Sequence, residues 1–154
     1  MTVPVTRTYD EVTVGERLPP LEIPVTRTLI VATALASRDY QDVHHDPELA
    51  RERGSGDVFM NILTSNGLVD RYVTGWAGPA ASVQAIRVRL GAPNHPGDTM
   101  VLTGTVTARS GGTGGRDEAG ARGRVEIAVR GTNGVGTHVS GTVTVLLPRK
   151  AGAR

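Results

Sequence analysis

A run of helical periodicity between residues 58 and 76, followed by a change to period two, constrains the fold of this chain more than any other feature. Apolar and small side chains recur at helical spacing over about five turns of that run. They are Val58, Phe59, Ile62, Leu63, Ser65, Val69, Tyr72, Val73 and Trp76. The pattern predicts the longest helix of the chain, ended by Gly75 and by Gly78-Pro79. Gly67 lies in its middle, and because glycine weakens a helix interior, we expect close packing there.

Alternating side chains predict four strands after this helix. They cover residues 82–90, 99–108, 125–130 and 138–147. A further short strand is expected within residues 9–16. One long helix followed by four antiparallel strands indicates an α+β domain in which a curved sheet wraps around a central helix. Such a sheet leaves an edge strand and apolar surface exposed, so we expect the domain to dimerise.

The 154 residues suffice for one domain with its own core, so we predict a single domain over residues 1–154. Residues 1–8 and 148–154 are expected to be frayed ends. Residues 110–123 include six glycines and no apolar side chain larger than that of alanine, which predicts a flexible loop. The chain contains no cysteine, which excludes a disulfide framework and a thiolate zinc site.

Charge and hydropathy limit the classes of partner. The chain has 17 basic and 15 acidic residues, a net charge of +2, and only 3% aromatic residues. This composition is not that of a nucleic-acid-binding protein, which needs a basic surface and aromatic side chains for base stacking. No apolar run approaches about 18 residues, and no basic leader precedes an apolar segment, so we expect no membrane segment and a cytoplasmic location.

Residues that suit acid–base chemistry are concentrated between positions 37 and 47. The segment holds three carboxylates and two imidazoles, Asp39, Asp42, Asp46, His44 and His45. A carboxylate next to a histidine can orient the ring or share a bound water with it. The alternative is a solvated loop with turn and capping roles. Asp46 favours the second role, because Pro47 suits the first turn of a short helix that Asp46 would cap.

The apolar residues before this segment predict another helix. It would run from Thr28, its N-cap, to about Ala36, with Leu29, Ala32, Leu35 and Ala36 on one face. Such a helix would place Asp39 just beyond its C-terminal end.

The run Asp39-Tyr40-Gln41-Asp42-Val43-His44, followed by Asp46-Pro47, resembles the D-x-N-P-x-H-x-D motif of the MaoC-like (R)-specific enoyl-CoA hydratases. The resemblance implies a hotdog fold that pairs with a second such domain. It also implies that Asp39 and His44 are the catalytic dyad. Two positions depart from the motif, since Gln41 replaces Asn and Asp42 replaces Pro, and neither belongs to the dyad.

A second resemblance extends from about residue 28 to residue 147. The stretches that carry it are 34–46, 61–64, 67–69, 71–74 and 76–79. They are similar to the small MaoC-like subunit of actinobacterial steroid side-chain enoyl-CoA hydratases. The resemblance implies an acyl-CoA thioester substrate from cholesterol or steroid β-oxidation. It also implies a partner, a second MaoC-like subunit fused to a zinc-ribbon/OB-type domain, in a heterodimer or heterotetramer.

The family resemblance also assigns the start of the long helix to the site. Hydration of an enoyl thioester needs donors aimed at the thioester oxygen as charge develops on it. The stretch Met60-Asn61-Ile62-Leu63-Thr64 matches the family's H-G-M-x-T-like run, which implies that the Asn61 backbone amide is the oxyanion donor and that Met60 and Asn61 bind substrate. No cofactor is implied, because CoA is part of the substrate. Metal binding needs three or four convergent ligands, and no spacing in the chain proposes them.

Other interpretations remain open at this level. The chain could be a homodimeric (R)-specific hydratase of ordinary fatty enoyl-CoA, a hotdog thioesterase, or a non-catalytic hotdog partner that only binds acyl-CoA. His45 is expected in a loop or an interface, and His95 and His138 are expected to be solvated or hydrogen-bonded. Arg87 and Arg89 are candidates for CoA contacts. The family resemblance implies an acyl-CoA tunnel where two hotdog domains meet, and their strand would lie near its mouth.

Overall fold

One antiparallel sheet of five strands holds the longest helix against it. The computed structural model describes residues 5–111 and 122–150. The strands are β1 (Arg17–Pro24), β2 (Ser82–Leu90), β3 (Thr99–Gly111), β4 (Arg122–Thr132) and β5 (Thr137–Pro148). The helices are α1 (Arg27–Ala36), α2 (Pro47–Glu52) and α3 (Ile62–Ala77), with short 3-10 helices at Tyr9–Glu11 and Asp42–His44.

The strands follow the order β1-β3-β4-β5-β2, and each neighbouring pair is antiparallel. The four strands predicted after the helix are confirmed. The additional strand, β1, was expected within residues 9–16 but lies after them. Pro19 and Pro20 fall at a bulge between Leu18 and Leu21, where the pairing register shifts. Proline is tolerated there because β1 is an edge strand, in which a missing N–H costs no ladder hydrogen bond.

α3 forms the centre of the core and confirms the predicted α+β arrangement. Its buried apolar side chains are Leu68, Val69, Tyr72, Val73 and Ala77. The strands contribute fully buried side chains to the same cluster, among them Met100, Leu102, Ile127 and Val143. Because the helix lies against the sheet along this apolar stripe, its N-terminal end is fixed relative to the strands.

α3 begins later than the periodicity predicted. Residues 58–60 belong to neither a helix nor a strand, and Asn61 has a β backbone conformation and caps the helix by accepting a hydrogen bond from the Thr64 N–H. Ile62 and Leu63 are each 50% exposed, although the helical pattern placed them on the buried face. Periodicity does not separate a helix from the segment that leads into it when both carry apolar residues.

The two shorter helices differ in how well their caps were predicted. α1 is capped by Thr26, whose hydroxyl accepts a hydrogen bond from the Leu29 N–H at 3.0 Å, and not by Thr28. Leu35 is 51% exposed, so the predicted apolar face of α1 is wrong; Ile30 and Ala34 are the buried residues. The cap of α2 is confirmed, because Asp46 accepts hydrogen bonds from the first turn that follows Pro47.

The ends and the predicted loop are described only in part. β3 extends to Gly111 and β4 begins at Arg122, so the loop predicted at 110–123 lies mainly outside the described residues. Of the predicted frayed ends, residues 1–4 and 151–154 also lie outside them. Arg7 donates its backbone N–H to Ala77, and Lys150 donates its own to Asp10. Within the described ranges, no helix is long and apolar enough to cross a membrane.

The close approach of β2 to β5 makes a testable prediction about Gly141. A Cβ at this position would lie 2.0 Å from the backbone oxygen of Arg87, so the strands cannot keep their pairing. We expect Gly141→Ala to lower the free energy of unfolding by about 3 kcal/mol, measured by urea denaturation. Gly134→Ala is the control, since no described atom lies within 4 Å of the added Cβ. Equal stability of the two variants would contradict the pairing of β2 with β5 at this position.

Candidate active site

Asp39 is positioned by the way α1 ends. The helix stops at Ala36, and Arg38 adopts a left-handed backbone conformation with φ of 57°. The Asp39 N–H then donates to the carbonyl of Ala34 at 2.9 Å. A non-glycine residue in the left-handed region persists only where surrounding contacts hold it. The reversal at Arg38 therefore places the Asp39 carboxylate at a defined point beyond the helix, as the sequence predicted.

His44 lies on the 3-10 turn Asp42–His44 and is held by the segment before α3. Its Nδ1 lies 2.7 Å from the carbonyl oxygen of Phe59, and its ring packs edge-on against the Phe59 ring with centroids 5.0 Å apart. A carbonyl oxygen only accepts hydrogen bonds, so Nδ1 carries the hydrogen. In the neutral ring, Nε2 is then an acceptor with a free lone pair. The imidazole is 6% exposed, so this orientation is fixed by packing.

The structure brings the two predicted catalytic residues together. Nε2 of His44 lies 3.3 Å from Oδ2 of Asp39, whose side chain is 23% exposed. With a neutral ring and an ionised carboxylate, both atoms are acceptors and have no hydrogen to share. A water molecule that donates one hydrogen to each would satisfy both and keep its oxygen lone pairs free. The geometry therefore suits a site that binds and activates one water.

The Asn61 side chain connects this pair to the start of α3. Its Nδ2 donates to Asp39 Oδ2 at 3.0 Å and to Ser37 Oγ at 2.9 Å. Its Oδ1 accepts hydrogen bonds from the N–H and the hydroxyl of Thr64. The sequence pointed to the backbone of Asn61 as an oxyanion donor, and the orienting role of its side chain was missed. The preference of asparagine for the N-cap position was the available signal.

Two other predicted roles fall at the start of α3: the Asn61 backbone as oxyanion donor, and Met60 and Asn61 as substrate contacts. The backbone N–H of Asn61 donates to no acceptor in the described ranges. It lies at the N-terminal end of α3, where the helix dipole favours negative charge. Met60 is 2% exposed, and its sulfur lies 3.8 Å from the Asn94 side-chain nitrogen in the core. The structure therefore does not bring the Met60 side chain to the dyad. Both the oxyanion role and the substrate contacts remain predictions.

The remaining polar residues of the 37–47 segment have structural roles. Asp42 forms an ion pair with Arg53 at 2.6 Å, and Asp46 caps α2. His45 is exposed, as expected for a loop residue. Within residues 5–111 and 122–150, no group of three or more histidine or carboxylate side chains is arranged to hold a metal ion.

The other two histidines are hydrogen-bonded inside the structure. His95 Nδ1 lies 3.0 Å from the carbonyl of Val58. His138 is 2% exposed and is bonded through Nδ1 to the Ala92 carbonyl and through Nε2 to the Ser65 hydroxyl. Burial lowers the pKa of His138, while the bond to Ala92 and the charge of Asp98 oppose that change. The neutral ring is therefore the favoured form.

An apolar groove between α1 and α3 adjoins the Asp39–His44 pair. It has a volume of about 310 Å³. Its lining residues are Thr33, Ala36, Ser37, Leu63, Thr64, Gly67 and Leu68. Ser37 and Thr64 are also partners of Asn61, so the groove begins at the candidate active site. No described atom lies within 4 Å of a Cβ built on Gly67, so the close packing expected there is wrong and Gly67 widens an open groove.

The five-stranded antiparallel sheet and the long helix packed against it define a class of protein, the hotdog-fold proteins. Comparison with known families agrees. Residues 11–129 match the family model described as MaoC like domain. The chain belongs to the MaoC-like family.

Similarity to individual proteins adds detail. The chain is 47% identical over 130 residues to the 3-oxo-4,17-pregnadiene-20-carboxyl-CoA hydratase beta subunit of Mycobacterium tuberculosis strain H37Rv, which covers 84% of this chain and 92% of that protein. The crystal structure of the ChsH1-ChsH2 complex from Mycobacterium tuberculosis contains a chain 44% identical to this one, with a TM-score of 0.76. That match covers 89% of this chain and 98% of the other.

More distant structures confirm the hotdog fold. The R-hydratase PhaJ1 from Pseudomonas aeruginosa has a TM-score of 0.78 at 20% identity, over 96% of this chain and 89% of its own. An (R)-hydratase from A. caviae has a TM-score of 0.75 at 19% identity, over 90% of this chain and 98% of its own.

The hydrogen bonds of Asn61 make a prediction about stability. Asn61→Ala removes an N-cap and the hydrogen bonds from Asn61 to Ser37, Asp39 and Thr64, so we expect the free energy of unfolding to fall by about 2–4 kcal/mol. Asp46→Ala removes only the cap of α2 and should cost about 1 kcal/mol. Urea denaturation of the two variants measures the difference. Equal losses would mean that the bonds from Asn61 to Ser37 and Asp39 contribute nothing.

Proposed function

We propose that this chain is the catalytic subunit of an enoyl-CoA hydratase that acts on a steroid side chain. In this proposal it adds water across the 2,3 double bond of a steroid side-chain enoyl-CoA during cholesterol or steroid β-oxidation. Family membership and the 47% identical hydratase beta subunit support the hydratase class. These two similarities identify the chain as an enoyl-CoA hydratase. The steroid substrate, the catalytic role of Asp39 and His44 and the partner subunit are what we propose.

The observation that carries the proposal is the distance of 3.3 Å between His44 Nε2 and Asp39 Oδ2, with His44 Nδ1 committed to the Phe59 carbonyl. A hydratase must hold one water between groups that accept its hydrogens and must leave its oxygen free to attack. Two acceptors at this separation meet that requirement. Because the Asn61 amide and the Phe59 carbonyl hold the two side chains, the site needs no rearrangement to receive the water.

The proposed reaction begins with the bound water. Its oxygen attacks C3 of the trans-2-enoyl thioester as the Asp39–His44 pair takes a proton. The electron pair of the double bond moves toward the thioester carbonyl and gives an enolate. The pair then returns a proton to C2, which yields the 3-hydroxyacyl-CoA. We assign the two proton transfers to the pair jointly, because interacting groups need not have separable roles.

Charge that develops on the thioester oxygen needs a donor. We assign this role to the backbone N–H of Asn61, at the end of α3 where the helix dipole favours an anion. The same residue would then serve twice. Its side chain would orient the Asp39 carboxylate, and its backbone would receive the oxyanion, so the attacking water and the polarised carbonyl would keep a constant separation.

A second MaoC-like subunit, fused to a zinc-ribbon/OB-type domain, is the proposed partner. The 44% identical chain comes from the structure of a complex of two proteins. β2 is an edge strand in the described part of the sheet, and exposed edges tend to be covered by another chain. Leu63 lines the groove and is half-exposed, as are the apolar side chains of Leu35 and Ile62. Together these features favour a heteromer whose partner closes the site.

Loss of either dyad member should abolish hydration. We expect Asp39→Asn and His44→Ala to lower kcat by a factor of about 100 to 10,000, because each removes one of the two acceptors for the water hydrogens. The loss of enoyl-thioester absorbance measures the rate, for the chain alone and for the chain co-expressed with its partner. His45→Ala is the matched control and should keep full activity, since this histidine is exposed and contacts neither member of the pair.

The outcomes separate the competing functions. Activity on the steroid thioester only in the co-expressed complex, lost in both dyad variants, would support the heteromeric hydratase. Full activity of the chain alone on linear enoyl-CoA would favour a homodimeric (R)-hydratase. Release of free CoA would favour a thioesterase. Activity that survives both substitutions would overturn the dyad.

The groove between α1 and α3 is the proposed site for the bulky acyl group. We expect Gly67→Phe to raise KM for the steroid thioester by at least about tenfold and to leave a four-carbon enoyl-CoA unaffected, because the new ring fills the groove but not the dyad. Gly75→Phe is the control. Gly75 lies on the same helix, and a Cβ built there also has no neighbour within 4 Å, but Gly75 does not line the groove. Equal effects of the two substitutions on the steroid substrate would exclude the groove as its site.

A further inference from the structure

A buried hydrogen bond of His138 ties the sheet to the first turn of α3, which begins at the candidate active site. His138, near the start of β5, lies with Nδ1 2.7 Å from the carbonyl of Ala92 and with Nε2 2.8 Å from the hydroxyl of Ser65 on α3. That hydroxyl is also 3.1 Å from the backbone carbonyl of Asn61. Ser65 and His138 are 0% and 2% exposed. Neither residue takes part in the chemistry proposed above.

The direction of these hydrogen bonds follows from what each atom can do. The Ala92 carbonyl only accepts, so Nδ1 of His138 carries the hydrogen and Nε2 of the neutral ring accepts. The Asn61 carbonyl already receives the backbone N–H of Ser65 at 3.2 Å. Among the described residues, Nε2 has no donor other than the Ser65 hydroxyl. The single hydroxyl hydrogen of Ser65 therefore points to His138, and the bond ties the first turn of α3 to β5.

The environment of the imidazole favours its neutral form. Burial disfavours its charged form and lowers the pKa of His138. The Ala92 carbonyl and the charge of Asp98 act in the opposite direction and are the weaker influences. A charged ring would place a hydrogen on Nε2 and force the Ser65 hydroxyl to rotate toward Asn61, so the neutral form is the one that holds the arrangement.

We propose that Ser65 and His138 are positioning residues, which set the location of the Asn61 peptide and through it the orientation of Asp39. Asn61 is held from two sides. Its side chain reaches the end of α1, and its own peptide lies one turn from the Ser65–His138 bond. Without that bond, the first turn of α3 loses its direct hydrogen bond to β5, so the position of the Asn61 peptide is less closely defined. A displacement of a fraction of an ångström at the reacting groups lowers a rate without removing any catalytic group.

This inference rests on the proposed hydratase function, and amide variants of His138 test it. His138→Asn keeps a donor at the Nδ1 position for Ala92 and cannot reach Ser65. His138→Gln places an amide at the Nε2 position, keeps the Ser65 contact and gives up the bond to Ala92. Ser65→Ala removes the same bond as His138→Asn. The two histidine variants therefore lose one hydrogen bond each, from opposite sides of the ring.

We expect Ser65→Ala and His138→Asn to lower kcat by about tenfold with KM unchanged, the factor that corresponds to one hydrogen bond. The double variant should be no slower than either single one, because both remove one contact. His138→Gln should keep kcat within about threefold of the wild type, a difference of about 0.7 kcal/mol. Urea denaturation should show similar losses of stability in the two histidine variants.

Either of two results would overturn the positioning role of Ser65 and His138. If kcat follows stability, so that His138→Gln is as slow as His138→Asn, the histidine is only structural and the positioning role is wrong. An unchanged kcat in Ser65→Ala would also overturn it.

A readout without substrate separates this inference from the proposed function. The side-chain amide of Asn61 gives ¹H–¹⁵N resonances that report its bonds to Asp39 and Ser37. These resonances should move in Ser65→Ala and His138→Asn and stay in place in His138→Gln. If the wild-type complex proves inactive on enoyl-CoA while the resonances respond as stated, the hydratase function fails and the positioning role stands. Resonances that do not move in Ser65→Ala would overturn the positioning role, whatever the activity.

Discussion

The arrangement of the site depends on one buried carboxamide, that of Asn61. A buried amide is costly unless its donors and acceptors are paired, and here four bonds satisfy it. Those bonds join three parts of the chain: the end of α1, the carboxylate of Asp39 and the first turn of α3. Any shift of one part leaves polar groups unpaired, so the amide requires all three to keep their positions.

Phe59 and Met60, which precede Asn61, fix the position of the His44 imidazole in a similar way. Phe59 donates its N–H to Val43 and accepts from His44 Nδ1, and Met60 donates to the carbonyl of Asn94. Non-helical backbone leaves donors and acceptors free for these contacts, which a helix would have consumed internally. The helix can therefore begin only at Ile62, and the segment that precedes it gives the histidine a single tautomer.

The polar cluster and the apolar groove occupy different surfaces of the same helix. The polar groups are concentrated at the N-terminal end of α3, whereas the groove beside it is lined by small and apolar side chains. Gly67 and Gly75 weaken the helix in isolation, and the apolar stripe against the sheet compensates for them. A Cβ built on Gly67 would meet no side chain within 4 Å, so the groove is open beside this residue.

The sequence by itself determined the elements whose signals are local. The long helix, the four later strands and the cap of α2 were predicted correctly, because periodicity, capping and turn chemistry act within a few residues. The tertiary structure decided the rest. The strand that contains Pro19 and Pro20 is stable only as a sheet edge. The Asn61–Asp39 bond spans 22 residues and the Ser65–His138 bond spans 73, and no local pattern encodes a contact between side chains that only the folded sheet brings together.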